Sequence, residues 1–447
     1  MDFVKAEGTR FTVAGAPIFF RGIGVGSWLN LEHYELGVPG WESDIFRAFE
    51  TVIPDFEEQY RRCFFTDEDA AYLRSLGINL IRVPLNHRLF WDEGTDDFSP
   101  VGPRWLKNLS EICRKAGLYY LPDLHTAPGG QNPDWHSECR TGRAEFWHYA
   151  VFRKRTAQIW RRIAQCLRED PMVLGYDLLN EPMLQEGDAE ALNRFYTETA
   201  AEIRKADPHH LIFLEGDHFA MDYRGLRLPD DPQTAFTFHF YPSVWNPEIT
   251  EMADVQREEA LRDALERILG SMEGAPRPLL CGETGFELNP RDPEKWFRLS
   301  GQVLRALEES GAGWCLWNYK DTGTIGLTSP APGTPWMALA RDVGEKWNHH
   351  RAEAIGYEAA DRAGAASGYP LTAEERYRLQ FMIRAGLAKT DVRHVLLPAL
   401  GRIPPADRGR LAESFRLDRC EIHRPMERLL QQFCQAGAPG PQAGGRE

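Results

Sequence analysis

The sequence predicts an α/β protein, a (β/α)8 TIM barrel followed by a C-terminal helical extension. Short apolar segments alternate with amphipathic, helix-like stretches, which is typical of parallel strands covered on both faces. This alternation fills residues 1–350, which is long enough for a barrel with extended loops after some strands. From residue 351 onward the pattern is helical and carries no strand signal.

The first strand follows a short hairpin within residues 11–24, and a long insertion, 25–66, separates it from the second strand. The other seven strands are expected at 79–85, 119–125, 173–180, 210–216, 234–241, 278–285 and 313–319. Helices are expected at 67–76, 103–117, 143–169, 188–206, 254–272, 291–310 and 336–348. A doubly wound open sheet is the alternative, but no G-x-G-x-x-G segment follows the first strand. The barrel is therefore favoured.

Beyond the barrel, residues 351–435 predict a helical extension, and residues 436–447, rich in Gly, Ala and Pro, predict a disordered tail. Helices are expected at 351–362, 372–387, 390–398 and 406–434. The apolar side chains that would dock this extension on the barrel are Tyr377, Phe381, Leu387, Val392, Val395 and Leu396. Oligomerisation through these helices is the alternative role, and the sequence leaves both open.

Composition excludes several classes of protein. The 447 residues include 52 basic and 66 acidic side chains, a net charge of −14, so we expect no nucleic-acid partner and no polybasic membrane attachment. No segment reaches the ~18 consecutive apolar residues of a membrane-spanning helix. The N-terminus lacks the apolar core of a signal peptide, so a cytoplasmic location is expected. The eight cysteines contain no C-x-x-C pair, which argues against a disulfide framework or a zinc site.

Side chains capable of chemistry occur where the predicted strands end, and in a barrel the active site forms at those C-terminal ends. They are Arg82, His125, Asn180, Glu181, His239, Tyr241, Glu283 and Trp317. Glu is depleted in strands, and a buried carboxylate is costly unless it is paired. Two glutamates, at the ends of the fourth and seventh strands, therefore suggest a paired acid/base site.

These residues resemble the active site of glycoside hydrolase family 5, a retaining (β/α)8 family of cellulases, mannanases and exo-β-glucanases. Asn180-Glu181-Pro182 is similar to its strand-four signature, and Gly282-Glu283 to its strand-seven nucleophile motif. The other recurrent positions of the family are matched by Arg82, His125, His239, Tyr241 and Trp317. All eight residue types occur in the family's order, so the resemblance covers about residues 10–348.

The layout is most similar to the exo-β-glucanase-like branch of the family. The segment Trp28-Leu29-Asn30-Leu31-Glu32 resembles that branch's G-W-L-x-L-E motif, and residues 123–132 resemble its D-L-H-x-A-P-G-x-Q-N loop. The sequence departs from the branch at residues 133–137 and 317–321. These segments form subsites, so the identity of the sugar stays open between a β-glucoside, a β-mannoside and a furanoside.

The resemblance implies a role for each residue. Glu283 would be the nucleophile and Glu181 the acid/base, with Arg82 and Tyr241 stabilising the ionised form of Glu283, and Glu181 protonated at rest. Asn180 would contact the substrate 2-hydroxyl, and His125 and His239 would contact substrate or orient the carboxylates. Trp317 would stack on the sugar, and Glu32 would accept a hydrogen bond from a sugar hydroxyl. Each of these residues also has a purely structural interpretation, as a core histidine, a turn residue or a surface acid.

The 13 tryptophans divide between ligand platforms and core. Trp28, Trp135 and Trp245 lie in predicted loops after strands and are candidate sugar platforms, with loop packing as the alternative. Residues placed in helices are expected in the core, and these are Trp105, Trp147, Trp160 and Trp296.

The sequence therefore predicts a retaining β-glycosidase that acts on an oligosaccharide or glycoside and requires no metal or cofactor. Long loops after the first and third strands favour exo action on small substrates over an open endo-acting cleft. An endo-acting β-glucanase or mannanase, and a non-catalytic carbohydrate-binding barrel, remain the alternatives.

Overall fold

The computed structural model describes residues 2–184, 189–272 and 276–435, and its centre is a closed barrel of eight parallel strands in sequential order. The strands are β1 (Arg21–Gly24), β2 (Leu80–Asn86), β3 (Tyr119–Thr126), β4 (Gly175–Asp177), β5 (Leu211–Leu214), β6 (Thr234–Phe240), β7 (Leu279–Thr284) and β8 (Gly313–Leu316). The predicted (β/α)8 fold is confirmed. The observed strands are shorter than predicted where the chain turns early into active-site loops, as it does after β4 and β8.

A small antiparallel sheet covers the N-terminal end of the barrel. Its strands are Val4–Glu7, Arg10–Val13 and Ala16–Ile18, which includes the predicted hairpin. Phe11 of this sheet packs on Phe20 and Phe213, below the first residues of the barrel strands. Because this end is filled with apolar side chains, the chemistry of the barrel is confined to the opposite end.

Helices surround the barrel close to their predicted positions. They are Asp67–Ser75, Val101–Ala116, Ala150–Leu167, Ala189–Arg204, Asp254–Gly270, Pro293–Glu309 and Pro335–Gly344. Each buries one apolar face, as in Val101–Ala116, where Trp105, Leu106 and Leu109 point inward. Among the described residues, only the four-residue turn Asp217–Ala220 is helical between β5 and β6.

Two long loops rise above the C-terminal end of the barrel. The loop after β1 contains the helices His33–Leu36, Glu42–Glu50 and Phe56–Phe64. The loop after β3 contains the 3₁₀ turn Trp135–Ser137 and the helix Glu145–His148. The length of these two loops is the sequence feature that favours a closed cleft over an open one.

The C-terminal region is mainly helical, with His349–Ser367, Ala373–Asp391, Leu397–Arg402, Pro405–Arg408 and Arg424–Cys434 as its α-helices, and a π-helical turn at Val392–Leu396. The prediction that no strand follows residue 351 is wrong, because Cys420–Ile422 pairs antiparallel with Thr328–Pro330. The single helix predicted over 406–434 is also wrong. Backbone groups of residues 328–330 supply partners that local helical propensity does not reveal, so tertiary pairing decides the conformation.

Residues 395–433 pack into the same apolar core as the barrel helices. Leu400, Leu411, Phe415 and Leu430 are wholly buried there. Of the predicted docking residues, Phe381, Val395 and Leu396 are buried, while Tyr377, Leu387 and Val392 are partly buried. Residues 436–447, predicted as a disordered tail, lie outside the described residues.

Within the described ranges, no helix combines the length and apolar character needed to cross a membrane. All eight cysteines are free thiols.

Candidate active site

A single guanidinium links the carboxylates at the C-terminal end of the barrel. Arg82 of β2 is wholly buried, and its pKa is raised well above the usual value because four carboxylates outweigh the effect of burial. Its contacts are Glu283 Oε1 at 2.5 Å, Asp177 Oδ2 at 3.0 Å, Glu215 Oε1 at 3.1 Å and Asp123 Oδ1 at 3.2 Å, and it donates to Asn180 Oδ1 at 2.9 Å. Arg82 therefore compensates much of the negative charge that the strand ends concentrate here.

Glu283 is held at both carboxylate oxygens. Arg82 binds Oε1, and the hydroxyl of Tyr241, just beyond β6, donates to Oε2 at 2.9 Å. Burial and the charge of Glu283 raise the pKa of Tyr241 well above its usual value, so the hydroxyl remains a donor. Register shifts by one residue between β6 and β7, which leaves Gly282 unpaired and sets His239 opposite Glu283. A Cβ at Gly282 would lie 2.7 Å from Thr237 Oγ1, so this bulge requires glycine.

Glu181 lies four residues beyond β4 in a left-handed backbone conformation, with φ of 49°. Non-glycine residues adopt this conformation only where the surroundings enforce it. Here the Glu181 N–H donates to Glu215 Oε2 at 2.6 Å, which anchors the strained peptide to the end of β5. The Glu181 carboxylate lies 2.7 Å from Nδ1 of His239 through Oε1 and 3.0 Å from Nε2 of His136 through Oε2.

Two imidazoles surround the carboxylate of Glu181 and favour its ionised form. Burial would raise the pKa of its carboxyl, but the hydrogen bonds and positive charges of His136 and His239 outweigh burial and hold the pKa well below its usual value. These contacts therefore favour the ionised form of Glu181, whereas the resemblance implies a protonated carboxyl at rest. The reason is the second histidine, which comes from the loop after β3.

His239 bridges the two glutamates. Its Nδ1 is 2.7 Å from Glu181 Oε1 and 3.7 Å from Glu283 Oε2, and its Nε2 is 3.4 Å from Glu215. Burial alone would lower its pKa, but the charges of Glu283 and Glu215 and the bond to Glu181 raise it well above the usual value. One ligand atom from each of Glu181, His239 and Glu283 lies within 4.8 Å of the other two.

His125 joins the loop after β1 to the base of the site. Its Nδ1 is 2.7 Å from Asp123 and its Nε2 is 2.8 Å from Glu32, while Asn180 Nδ2 approaches Nε2 at 3.4 Å. Burial lowers the pKa of His125, but Asp123 and Glu32 more than compensate and raise it well above the usual value. The structure therefore brings both Glu32 and Asn180 to the site, as predicted.

Trp317, which follows β8, forms part of the floor of the site. Its ring is parallel to His125 with centroids 5.8 Å apart, and its Nε1 donates to the Tyr34 hydroxyl at 2.7 Å. A Cβ at Gly24 would lie 2.4 Å from the indole, so glycine at this position admits the ring. Only 2% of Trp317 is exposed, which leaves less surface for stacking than an open platform has.

The remaining tryptophans differ in their surroundings. Trp135 is half-buried and packs against His33 with ring centroids 4.1 Å apart, and its other ring neighbours are Tyr34, His136 and His349. Trp28 is wholly buried, so its interpretation as a platform is wrong; the loop after β1 folds back as core instead of opening toward solvent. Trp245 is 56% exposed near Phe219 at the rim. The core assignments are confirmed for Trp105, Trp160 and Trp296, whereas Trp147 is only partly buried.

Comparison with known proteins identifies the family. The model of cellulase, glycosyl hydrolase family 5, matches residues 44–323, which is more than half of the chain. The chain belongs to glycosyl hydrolase family 5. It is a glycoside hydrolase, as predicted.

Family 5 relatives span several activities. A β-xylosidase from Phanerodontia chrysosporium is 34% identical over 386 residues, covering 81% of this chain and 80% of that protein. Endoglucanase C from Acetivibrio thermocellus is 22% identical over 306 residues, covering 59% of this chain and 87% of that protein. The structure of Thermotoga maritima Cel5A with mannotriose shares the fold at TM-score 0.52 and 18% identity, covering 69% of this chain and 92% of that one.

Several residues of this family 5 site were not predicted. Glu215 directly follows the apolar strand β5, so its position carries the same signal as Glu181 after β4 and Glu283 at the end of β7. Asp123 could have been found from strand alternation, because it lies two residues from His125 on the same face of β3. His136 carries no such signal, because its position in a loop does not reveal that it reaches Glu181.

Two clusters in the barrel have the residue types of a metal site. They are Glu181, His239 and Glu283, and Asp123, Asp177 and Glu215. In both, basic side chains already lie among the carboxylates, since Arg82 contacts every acid of the second cluster and the acids of the first raise the pKa of His239. This arrangement favours charge compensation by Arg82 and His239, and the absence of a metal stays a prediction.

Proposed function

We propose that the protein is a retaining β-glycosidase in which Glu283 is the nucleophile and Glu181 the acid/base. The observation that carries this proposal is the closeness of the two glutamates, since one carboxylate oxygen of Glu181 lies within 4.8 Å of one of Glu283. Retaining enzymes place their carboxyl groups about 5–5.5 Å apart, whereas inverting enzymes leave about 6.5–9.5 Å for a water molecule.

The contacts support a different role for each glutamate. Arg82 and Tyr241 orient both oxygens of Glu283, which suits a carboxylate that attacks the anomeric carbon. As the glycosidic bond breaks, the leaving oxygen takes the proton of the Glu181 carboxyl, which becomes a carboxylate. In the second step, water attacks the glycosyl ester, its proton returns to Glu181, and Glu283 leaves as a carboxylate.

Exo action on short substrates is the finer proposal. The loops after β1 and β3 are held together by a third element, the helical pair His349–Ser367 and Ala373–Asp391. His349 lies 3.1 Å from His33, and Arg384 forms an ion pair with Asp134 at 2.9 Å. These contacts support a cleft that is closed at the end bearing Tyr34 and Trp135.

The sugar is proposed from the relative of highest identity described above. Because that protein is named a β-xylosidase and aligns over four-fifths of both chains, a β-xyloside is the first substrate to test. β-Glucosides and β-mannosides are the alternatives. A panel of p-nitrophenyl glycosides followed by short oligosaccharides identifies the sugar, and release of single units from one end would demonstrate exo action.

Azide rescue tests the two roles separately. With an activated aryl glycoside, Glu283→Ala should be nearly inactive, and azide should yield the glycosyl azide of inverted configuration. Glu181→Ala with azide should yield the product of retained configuration, because the covalent intermediate still forms. Full activity in either variant, with circular dichroism like that of the wild type, would overturn the assignment.

A further inference from the structure

The Glu181 carboxylate has a second histidine neighbour that the proposed mechanism does not use. His136 lies in the 3₁₀ turn Trp135–Ser137, and its Nε2 is 3.0 Å from Glu181 Oε2. Both side chains are nearly buried, with 11% and 14% exposed. His136 therefore contacts one acid/base oxygen while His239 contacts the other.

Asn132 determines which hydrogen bonds His136 can form. Its Oδ1 accepts from the N–H of Asp134 at 3.0 Å, so its amide nitrogen must face the other way. That nitrogen donates to the Glu181 carbonyl at 3.0 Å and reaches His136 Nε2 at 2.8 Å. Nε2 thus faces a fixed donor on one side and the Glu181 carboxyl on the other.

These neighbours give the His136–Glu181 pair two hydrogen-bonded states. When Nε2 carries a proton it donates to an ionised Glu181, and Asn132 then keeps only its bond to the Glu181 carbonyl. When Nε2 is bare it accepts from Asn132, and the proton lies on Glu181. The first state suits the base step and the second suits the acid step. The two states interconvert when one proton moves between Nε2 and Oε2, which are 3.0 Å apart.

We propose that His136 is a positioning residue whose Nε2 shares one proton with Oε2 of Glu181, and that this pair supplies the proton to the leaving group. The inference rests on the proposed function. In the first step the C1–O bond breaks, the C1–Glu283 bond forms, and the shared proton passes through Glu181 to the leaving oxygen. In the second step water attacks C1, its proton returns to the pair, and the ester bond to Glu283 breaks.

The surrounding charges keep a proton in this pair. Burial would lower the pKa of His136, but Glu181, Asp134 and Glu32 outweigh it and raise the pKa above the usual value. On the other oxygen of Glu181, Nδ1 of His239 lies 2.7 Å from Oε1, and the same ring also faces Glu283 at 3.7 Å and Glu215 at 3.4 Å. His125 is held by Asp123 and Glu32, and Arg384 is paired with Asp134. His136 is therefore the imidazole that contacts Oε2 of Glu181, while His239 contacts Oε1 and is shared with Glu283 and Glu215.

The test compares His136→Phe, which removes the nitrogen, with His136→Gln, which keeps a donor that does not titrate. His148→Phe is the matched control, because His148 is exposed beside Arg143 in the same loop. The substrates are aryl glycosides that differ in leaving-group acidity. We expect His136→Phe to lower kcat/KM about 10–100-fold for phenyl glycosides and less than about 3-fold for 2,4-dinitrophenyl glycosides, which need little acid assistance.

The pH profile separates proton sharing from simple packing. In both His136 variants the alkaline limb of kcat/KM should move to lower pH, because the proton then depends on the carboxyl of Glu181 alone. His136→Gln should recover part of the kcat/KM lost in His136→Phe, but its alkaline limb should stay at the lower pH. Equal losses for all leaving groups together with an unmoved limb would overturn the inference. Failure of the wild type to hydrolyse any glycoside would instead overturn the proposed function.

Discussion

The backbone N–H of Glu181 donates to the carboxylate of Glu215 at 2.6 Å, and this bond ties the end of β4 to the end of β5. Glu215 also contacts Arg82 at 3.1 Å and His239 at 3.4 Å. The Glu215 carboxylate thus restrains both the peptide of Glu181 and the guanidinium of Arg82, which binds Glu283. We infer that the relative position of Glu181 and Glu283 depends on Glu215.

Replacing Glu215 by Gln should therefore lower kcat/KM about 100-fold, since small misplacements of catalytic groups cost this much. The amide nitrogen of Gln is a hydrogen-bond donor, and the guanidinium of Arg82 also carries only donors. Two donors would then face each other, so the network would have to shift. Steady-state kinetics measure the effect. Asp231→Asn, which removes the partner of Arg204 in the loop before β6, is the control and should retain activity. Wild-type kinetics in Glu215→Gln would contradict the proposed role.

Removing the Tyr241 hydroxyl should affect the rate more than binding. Tyr241→Phe leaves Glu283 Oε2 without its 2.9 Å donor while keeping the ring. We expect kcat to fall about 10–100-fold with KM changed little, because the nucleophile loses orientation. The measurement is kcat and KM on the best aryl glycoside. A selective rise in KM would show that the hydroxyl binds substrate instead.

Lys320 should stabilise the packing of the C-terminal region on the barrel, because its ammonium group donates to the carbonyl of Phe415. This side chain is wholly buried and bonds Asp69, the Phe64 carbonyl and the Phe415 carbonyl at 2.6–2.7 Å. Lys320→Met leaves a buried carboxylate unpaired, so the free energy of unfolding should fall by about 3–5 kcal/mol. Denaturant unfolding measures it. The double variant Lys320→Met, Asp69→Asn should recover much of the loss, and no recovery would exclude the ion pair as the cause.

Docking of the C-terminal helices should weaken in acid. Burial, together with the charges of His350 and Arg384, lowers the pKa of His349 to about 3, against about 6.5 in the unfolded chain. The unfolded state therefore binds the proton more readily, so stability is lost as pH falls from about 6.5 toward about 3. At pH 5 the loss from this group should be about 2 kcal/mol.

The pH dependence can be assigned with one variant. His349→Gln should show a smaller decrease in the free energy of unfolding between pH 8 and pH 5, by about 2 kcal/mol. His148→Gln, at an exposed position, should behave as the wild type. If His349→Gln and the wild type lose equal stability, another group is responsible for the acid sensitivity.

Much of the site could be predicted because its signals are local. Glu181 follows an apolar strand and Glu283 lies at the end of another, and parallel strands in a barrel bring their C-terminal ends together whatever the loops do. Glu215 carried the same signal. Trp28 illustrates the limit, since its place in a loop gave no indication that the loop folds inward over Phe65 and Trp105.

The sequence alone determined the barrel, the order of its strands and the candidate acids, because these follow from periodicity and from residue types at strand ends. Only the tertiary structure decided which side chains surround the carboxyl of Glu181. Its two imidazole partners come from the loop after β3 and from β6 itself, and their effect on the carboxyl depends on distances and burial that sequence spacing does not encode. For the same reason, Cys420–Ile422 became a strand only where Thr328–Pro330 offered it a partner.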